Sequence, residues 1–210
     1  MEWLANSNPA VVLMESCKGS IVRARNLADL GHDARLVQGA DVKALRNVAQ
    51  KNDIRDADYI ARLFYVPVFV KNQRQQSLQF LQNEYKSLQE LRIRVGNQIH
   101  AGLEEFGCPA PKSQKFVQSR MMAHLEKNTE LIPEAVMASF LRRREMWLKL
   151  FEQEEEAKKR MEEIAKTDDD AKRIMTVLEV GAQTAVGMLV HIGGDVGRFK
   201  KTTLFRGLID

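Results

Sequence analysis

The chain has 210 residues, of which 44% are hydrophobic and 29% charged, a balance that is typical of a folded globular protein and excludes a mainly disordered one. Its 32 basic and 28 acidic residues leave a formal net charge of +4, which favours a polyanionic partner only slightly. The two cysteines, Cys17 and Cys108, lie too far apart for a CxxC pair, which excludes a zinc knuckle and favours a reducing compartment.

A strand, a helix and a second strand are predicted within the first 40 residues. The run AVVLMES is short, apolar and β-prone, and DARLVQ has the same character. Between them, apolar residues recur at helical spacing, namely Ile21, Ala24, Leu27 and Leu30. Gly31 is the expected helix stop. The order predicts a βαβ unit with parallel strands.

Two long helices are predicted after Pro67, which interrupts the apolar run FYVPVFV. The first runs from Gln73 to Phe106, and its apolar residues follow a heptad-like seam: Leu78, Leu81, Tyr85, Leu88, Val95, Ile99 and Phe106. Gly107 and the prolines after it end this helix. The second helix begins near IPEAVMASF and continues through EIAK. We expect the two helices to pack as an antiparallel hairpin or bundle.

Charge placement on the second long helix predicts a solvated middle portion. Acidic and basic residues alternate at four-residue spacing in the favourable orientation, as Glu154 to Lys158, Glu155 to Lys159 and Glu156 to Arg160. The basic run from Arg142 to Arg144 is also typical of a solvated face, with nucleic-acid contact as the alternative. After it come a helix, a tight turn at Gly181 and another helix.

A cluster of aspartates stands out in QKNDIRDADYIARLF, at positions 50–64. On a helix, Asp53 and Asp56 share one face on adjacent turns, where their charges repel unless a cation lies between them. A divalent metal is such a cation, and Glu15, near the end of the first strand, is a third acid placed where α/β sites collect ligands. The alternative needs no metal, because Asp53 also fits a helix cap and Asp56 the first turn.

No segment of the sequence predicts a membrane protein. The longest apolar runs are far shorter than the ~20 residues of a spanning helix. The opening MEWLANSN lacks the basic flank and apolar run of a signal peptide. We therefore expect a cytoplasmic protein with no membrane partner.

Six blocks, in order, resemble the transposases of the insertion-sequence-110 family: VVLMESC, ARNLADLGHDARLV, KNDIRDADYIA, VPVFVKNQRQQSLQFL, RVGNQIHAGLEEFG and TVLEVGAQTAVGMLVHIGGDVGRFK. The resemblance implies an α/β plus mostly α fold, beginning with a partial RuvC-like, RNase H-like domain of DEDD type at 1–66. A long-helix coiled-coil region would follow at 67–166. The start of a second transposase domain, with a helix-hairpin-helix-like segment, would occupy 167–210.

The resemblance also assigns roles to residues. Glu15 matches the second acid of the family, and Asp53 and Asp56 match the acids of its K-N-D-x-x-D-A motif, which makes the three expected Mg²⁺ ligands and catalytic residues for DNA strand cleavage and exchange. Lys51, Lys71 and Gly181 are weaker candidates for nucleic-acid contact. The implied partners are DNA, a structured guide RNA, and further copies of the chain joined through the long helices.

Two departures from the family pattern bear on activity. The first acid of the family would lie upstream of this chain, and its serine nucleophile downstream; Ser16 and Ser20 do not match that serine. We expect a truncated transposase that is inactive alone, with a non-catalytic helical module for DNA binding or oligomerisation as the alternative. In LEVGAQTAVG, Glu179 replaces a family glycine and Ala182 a proline, so close packing at the Gly181 turn is favoured over phosphate contact.

Overall fold

A computed structural model describes residues 2–39 and 68–192. The chain divides into two compact units, Met1–Arg74 and Gln75–Asp210. Their described residues are mostly helical, with a small two-stranded parallel sheet in the first unit. The predicted combination of an α/β piece with a larger helical portion is therefore confirmed. The RNase H-like and coiled-coil assignments, and the three-domain boundaries, stay predictions.

The first unit contains the predicted βαβ arrangement. Its described elements are α1 (Glu2–Ala5), β1 (Val11–Glu15), α2 (Ser20–Asp29) and β2 (Asp33–Val37). The strands pair in parallel, from Val11 opposite Asp33 to Glu15 opposite Val37. The other side of β2 meets Val68, whose N–H donates to the carbonyl of Leu36 at 2.7 Å in an antiparallel bridge.

Helix α2 ends as predicted but buries a different set of residues. Ser20, Ala24 and Leu27 are buried, whereas Leu30 is 44% exposed because it lies just past the last helical turn. Gly31 adopts a left-handed φ of 88°. The N–H of Gly31 donates to Ala28 O, and that of His32 to Leu27 O, which is the hydrogen-bond pattern of a Schellman C-cap.

His32 joins three segments of the first unit. The buried ring accepts a hydrogen bond at Nδ1 from the N–H of Ala10 at 3.2 Å, and its Nε2 lies 2.9 Å from the carbonyl oxygen of Leu4. Because Nδ1 can accept only when it carries no hydrogen, this geometry selects the tautomer with its hydrogen on Nε2. His32 therefore connects α1, the start of β1 and the turn before β2.

Two long helices dominate the second unit. Helix α3 (Gln73–Glu105) and helix α5 (Glu134–Thr167) follow the predicted bounds closely. A π-helical turn (Phe116–Arg120) and α4 (Met121–Lys127) lie between them, and α6 (Asp169–Ile174) and α7 (Ala182–Ile192) follow. Gly107, at a left-handed φ of 73°, ends α3 in a second Schellman cap, with Cys108 N–H donating to Leu103 O.

Close contacts show that α3 and α5 run antiparallel, as predicted. A Cβ placed on Gly96 would lie 3.2 Å from Nε1 of Trp147, and one on Gly102 would lie 3.0 Å from the Phe140 ring. As the numbering rises along α3 it falls along α5. The two glycines let aromatic rings of α5 reach the backbone of α3, where a Cβ would require the ring to move by a few tenths of an ångström.

A buried ion pair also links the long helices. Arg92 of α3 pairs with Glu154 of α5 in a two-pronged contact, with Nη2 3.3 Å from Oε1 and a closer contact between Nε and Oε2. The guanidinium lies 5.5 Å from the ring centroid of Trp147, which stacks on Phe151. The predicted solvated position of Glu154 is wrong, because this long-range partner takes it into the core.

Arg144 has a structural role within the basic run. Its Nε donates to Val117 O at 3.0 Å and its Nη2 to Gln118 O at 2.7 Å, so it satisfies two carbonyls of the π-helical turn. Arg142 instead donates to the hydroxyl of Ser139 at the surface. Because successive helical residues point about 100° apart, the run does not form one basic face.

Two apolar cores fill the second unit. The first surrounds Ile99, Phe116, Met121, Phe140 and Trp147 and includes Cys108, and burial raises the pKa of the Cys108 thiol. The second joins α3, α5, α6 and α7 through Leu78, Met161, Ala171, Val186 and Val190. Within residues 2–39 and 68–192, no helix is long and apolar enough to cross a membrane.

Removing one partner of the buried ion pair should destabilise the second unit strongly. Arg92→Met leaves Glu154 charged and buried, so we expect the free energy of unfolding to fall by about 3–5 kcal/mol. Arg92→Met combined with Glu154→Met should recover most of that loss, because no buried charge remains. Urea unfolding followed by circular dichroism measures both. Lys149→Met, which breaks the exposed pair with Glu145, is the control and should change little; a similar loss there would contradict the assignment.

The stability of the second unit should fall as the solution becomes mildly acidic. His100 is buried, and its Nδ1 has no hydrogen-bond partner among the described residues. Burial, with a smaller effect of Lys112, lowers the pKa of His100. The unfolded chain therefore takes up the proton first, and stability present above pH ~6.5 is lost as the pH falls from there through the folded-state pKa.

Urea titrations at pH 7.5 and 5.5 test this dependence. His100→Phe, which keeps a ring beside Phe116, should lose less stability between the two values than the unmodified chain. Equal pH dependence in the two proteins would show that His100 is not the group responsible.

Candidate functional site

Glu15 lies at the carboxyl end of β1, where the sequence places it. It is opposite Val37, and the pairing continues one step further because Ser16 N–H donates to Val37 O at 2.8 Å. Its side chain is half-buried. The carboxyl edge of parallel strands is where α/β proteins gather ligand-binding groups.

The carboxylate of Glu15 rests against the backbone at Gly39, two residues past the end of β2. A Cβ at Gly39 would lie 2.5 Å from Oε1 of Glu15, 3.5 Å from Cδ and 3.7 Å from Cγ. No side chain fits in that space without a shift. Sequence reasoning missed Gly39, because the contact joins two segments that are distant in sequence and no local motif marks it.

A tight turn connects Glu15 to α2. Cys17 N–H donates to Oγ of Ser20 at 3.2 Å, and Ser20 N–H donates back to Cys17 O at 3.1 Å. Gly19 has a left-handed φ of 81° with open space around its Cβ position, so its conformation rather than crowding requires glycine. These two hydrogen bonds fix the turn between Glu15 and the start of α2. The buried Ser20 hydroxyl is therefore used in the turn.

The remaining predicted acids fall outside the described residues. Asp53, Asp56 and Lys51 lie in the segment between 39 and 68. Among residues 2–39 and 68–192, no group of three His, Cys, Asp or Glu side chains could hold a metal ion. The convergence of Glu15 with the two aspartates therefore stays a prediction. The Glu15 carboxylate fits such a metal site, because carboxylate oxygens suit Mg²⁺ and the absence of a side chain at Gly39 leaves room for this carboxylate.

Lys71 occupies a half-buried position just before α3. Its carbonyl accepts a hydrogen bond from Nη1 of Arg25 at 3.1 Å, which attaches this segment to α2. Burial lowers the pKa of Lys71. Its role in nucleic-acid contact stays a prediction.

The turn before α7 differs from expectation at Gly181. Nothing among the described residues lies within 4 Å of a Cβ at Gly181, so close packing does not explain this glycine. Its carbonyl accepts the hydrogen bond from Ala185 N–H at 2.9 Å that begins the helix. The strained position is Glu179, at a left-handed φ of 68°, where the resembled motif carries glycine.

A polar cleft that the sequence did not predict opens beside this turn. It encloses about 210 Å³ and is lined by Gln82, Tyr85, Lys86, Met161, Gln183, Thr184, Gly187 and His191. Hydroxyl, amide and ammonium groups from α3 and α7 share its wall. These residues come together only through tertiary packing, so no local motif marks them.

Comparison with known proteins shows transposase relatives. No protein-family model matches the chain. It is 29% identical over 196 residues to the transposase for insertion sequence element IS1328 of Yersinia enterocolitica, covering 91% of this chain and 58% of that protein. It is 33% identical over 110 residues to a probable family 20 transposase of Pseudomonas aeruginosa, covering 50% of this chain and 32% of the other.

These similarities confirm the predicted relationship to transposases. The chain spans less than two thirds of the length of either relative. Neither protein's name specifies the DEDD acids or the insertion-sequence-110 family, so those details stay predictions.

Replacing Glu179 by glycine should stabilise the second unit. A non-glycine residue in the left-handed region costs about 1–2 kcal/mol, so Glu179→Gly should raise the free energy of unfolding by about 1 kcal/mol after the entropy of glycine is subtracted. Thermal unfolding measures the change. Leu178→Gly, at the exposed neighbouring position, should lower stability instead. A loss in both variants would mean that residue 179 is not left-handed in solution.

Proposed function

We propose that this relative of insertion-sequence transposases is a DEDD-type DNA transposase or recombinase polypeptide. The observation that carries the proposal is the similarity to two transposases, one of which extends over 91% of the chain. The parallel βαβ unit with Glu15 at its carboxyl edge supports an RNase H-like, RuvC-like domain, because that fold presents acids at strand ends.

Three acids would hold the metal. Glu15 presents its carboxylate at the end of β1, and Asp53 and Asp56 would supply carboxylates from successive helical turns. When bound, Mg²⁺ would polarise a phosphodiester and stabilise the charge on its attacking and leaving oxygens. The chain's own part is to hold Glu15 at a defined edge, and the β1–β2 pairing does this on both sides of that residue.

DNA is the proposed substrate, comprising the ends of an element and a target. The formal net charge of +4 agrees with a polyanionic partner without identifying it. Lys51, Lys71 and the turn at Gly181 are the proposed contacts to nucleic acid. The family resemblance further suggests a structured guide RNA and assembly through the long helices as a coiled coil.

Metal binding by the 210-residue chain tests the acid set. Asp53→Ala with Asp56→Ala should weaken Mn²⁺ binding, measured by electron paramagnetic resonance, by about 100-fold or more, since several kcal/mol of charge stabilisation are removed. Asp169→Ala with Asp170→Ala removes two neighbouring aspartates from α6 and should leave Mn²⁺ affinity unchanged.

Cleavage of element-end DNA in the presence of Mg²⁺ is the matching activity measurement, made on the chain and on a version extended to the length of its relatives. Asp53 and Asp56 should be required for DNA cleavage by the 210-residue chain, by the extended version, or by both, according to which of them cleaves. Full cleavage after the double change at Asp53 and Asp56 would contradict the metal assignment and favour a non-catalytic helical module.

A further inference from the structure

We propose that Gly39 is a positioning residue for Glu15, an inference that rests on the proposed function in that Glu15 is taken to be a metal ligand. Gly39 would hold no ligand itself. Its lack of a side chain lets the Glu15 carboxylate lie on the backbone that follows β2, so that the carboxylate stays at the sheet edge.

The backbones on either side of the contact are fixed. Glu15 is registered with Val37, and Ser16 N–H donates to Val37 O at 2.8 Å. Leu36 and Val37 have no exposed surface. Strand β2 therefore cannot move aside without breaking the ladder and opening the core, and a collision at residue 39 has to be relieved by the Glu15 side chain or by the segment after β2.

Crowding by the Glu15 carboxylate, rather than backbone conformation, is what distinguishes Gly39 from the other glycines. Gly39 does not have the left-handed φ seen at Gly19, Gly31 and Gly107. Those three have open space at the Cβ position, whereas a Cβ at Gly39 would lie 2.5 Å from a carboxylate oxygen. Real Cβ atoms do not approach oxygen that closely, so an alanine would displace the carboxylate.

Gly187 provides a matched comparison within the same chain. A Cβ there would lie 2.7 Å from Nε2 of Gln82, which is also a close contact with a polar side chain. Gln82 belongs to the second unit and is not a candidate ligand. Gly187→Ala therefore reproduces the kind of crowding without touching Glu15.

The first measurement needs no metal. In Gly39→Ala, the side-chain couplings and carboxyl ¹³C shift of Glu15 should report a changed rotamer, whereas Gly187→Ala should leave them as in the unmodified chain. An unchanged Glu15 side chain in a folded Gly39→Ala protein would overturn the inference.

The second measurement is Mn²⁺ affinity. Gly39→Ala should weaken it by about 10- to 100-fold, the range seen when groups that orient metal ligands are altered, and Gly187→Ala should not weaken it. Unaltered Mn²⁺ affinity in Gly39→Ala would also overturn the inference. A different result separates the two proposals. If the unmodified chain bound no Mn²⁺ but the Glu15 rotamer still changed in Gly39→Ala, the proposed function would be wrong, whereas the contact between Gly39 and the Glu15 carboxylate would be confirmed.

A second variant tests the inference if the Gly39→Ala protein does not fold. Gly39→Ala combined with Glu15→Asp withdraws the carboxylate by one methylene and should restore folding if Glu15 is what the new Cβ meets. If Gly39→Ala unfolds and this combination unfolds equally, the crowding does not involve Glu15 and the inference is wrong.

Discussion

The parallel register between β1 and β2 is the constraint on which the candidate site depends. Two strands of five residues each would make a weak sheet in isolation, and here the pairing is reinforced by α2, by the bridge to Val68 and by the ring of His32. A one-residue slip of β1 would carry Glu15 to the opposite face of the sheet, and a slip of β2 would exchange the faces on which the buried Leu36 and Val37 lie. Burial of apolar side chains and placement of an acid are thus set by the same hydrogen bonds.

The second unit is organised by a different kind of contact. Glycines at 96 and 102 bring α5 aromatic rings against α3, and the Arg92–Glu154 pair is enclosed beside Trp147. A buried pair of charges adds little net stability but penalises any arrangement that separates its partners. The ion pair therefore selects how α3 and α5 align, while burial of the apolar cores drives the folding of the second unit.

Sequence patterns predicted the elements well because burial of one face repeats along each helix and because the two strands are short apolar, β-prone runs. The bounds of α3 and α5, the stops at Gly31 and Gly107, and the position of Glu15 all follow from local patterns. The failures involve contacts distant in sequence. Glu154 had suitable partners one turn away, yet Arg92 on another helix takes it, and nothing near Gly39 in sequence reveals that Glu15 lies against it.

The candidate site is predictable only in part for the same reason. Strand order places one acid at an edge, whereas the approach of Asp53 and Asp56 depends on a segment outside the described residues. At the turn before α7 the resemblance indicated that Glu179 stands where the motif has glycine, but the local sequence did not show that this residue takes a left-handed conformation or that the space around Gly181 is open.

The turn after β1 has a practical consequence for spectroscopy. Of the two cysteines in the chain, Cys17 is exposed and Cys108 is buried with a raised thiol pKa. A thiol-reactive fluorophore or spin label should therefore attach selectively at Cys17, two residues from Glu15. The native chain thus carries a built-in reporter at the strand edge, with no engineered cysteine required.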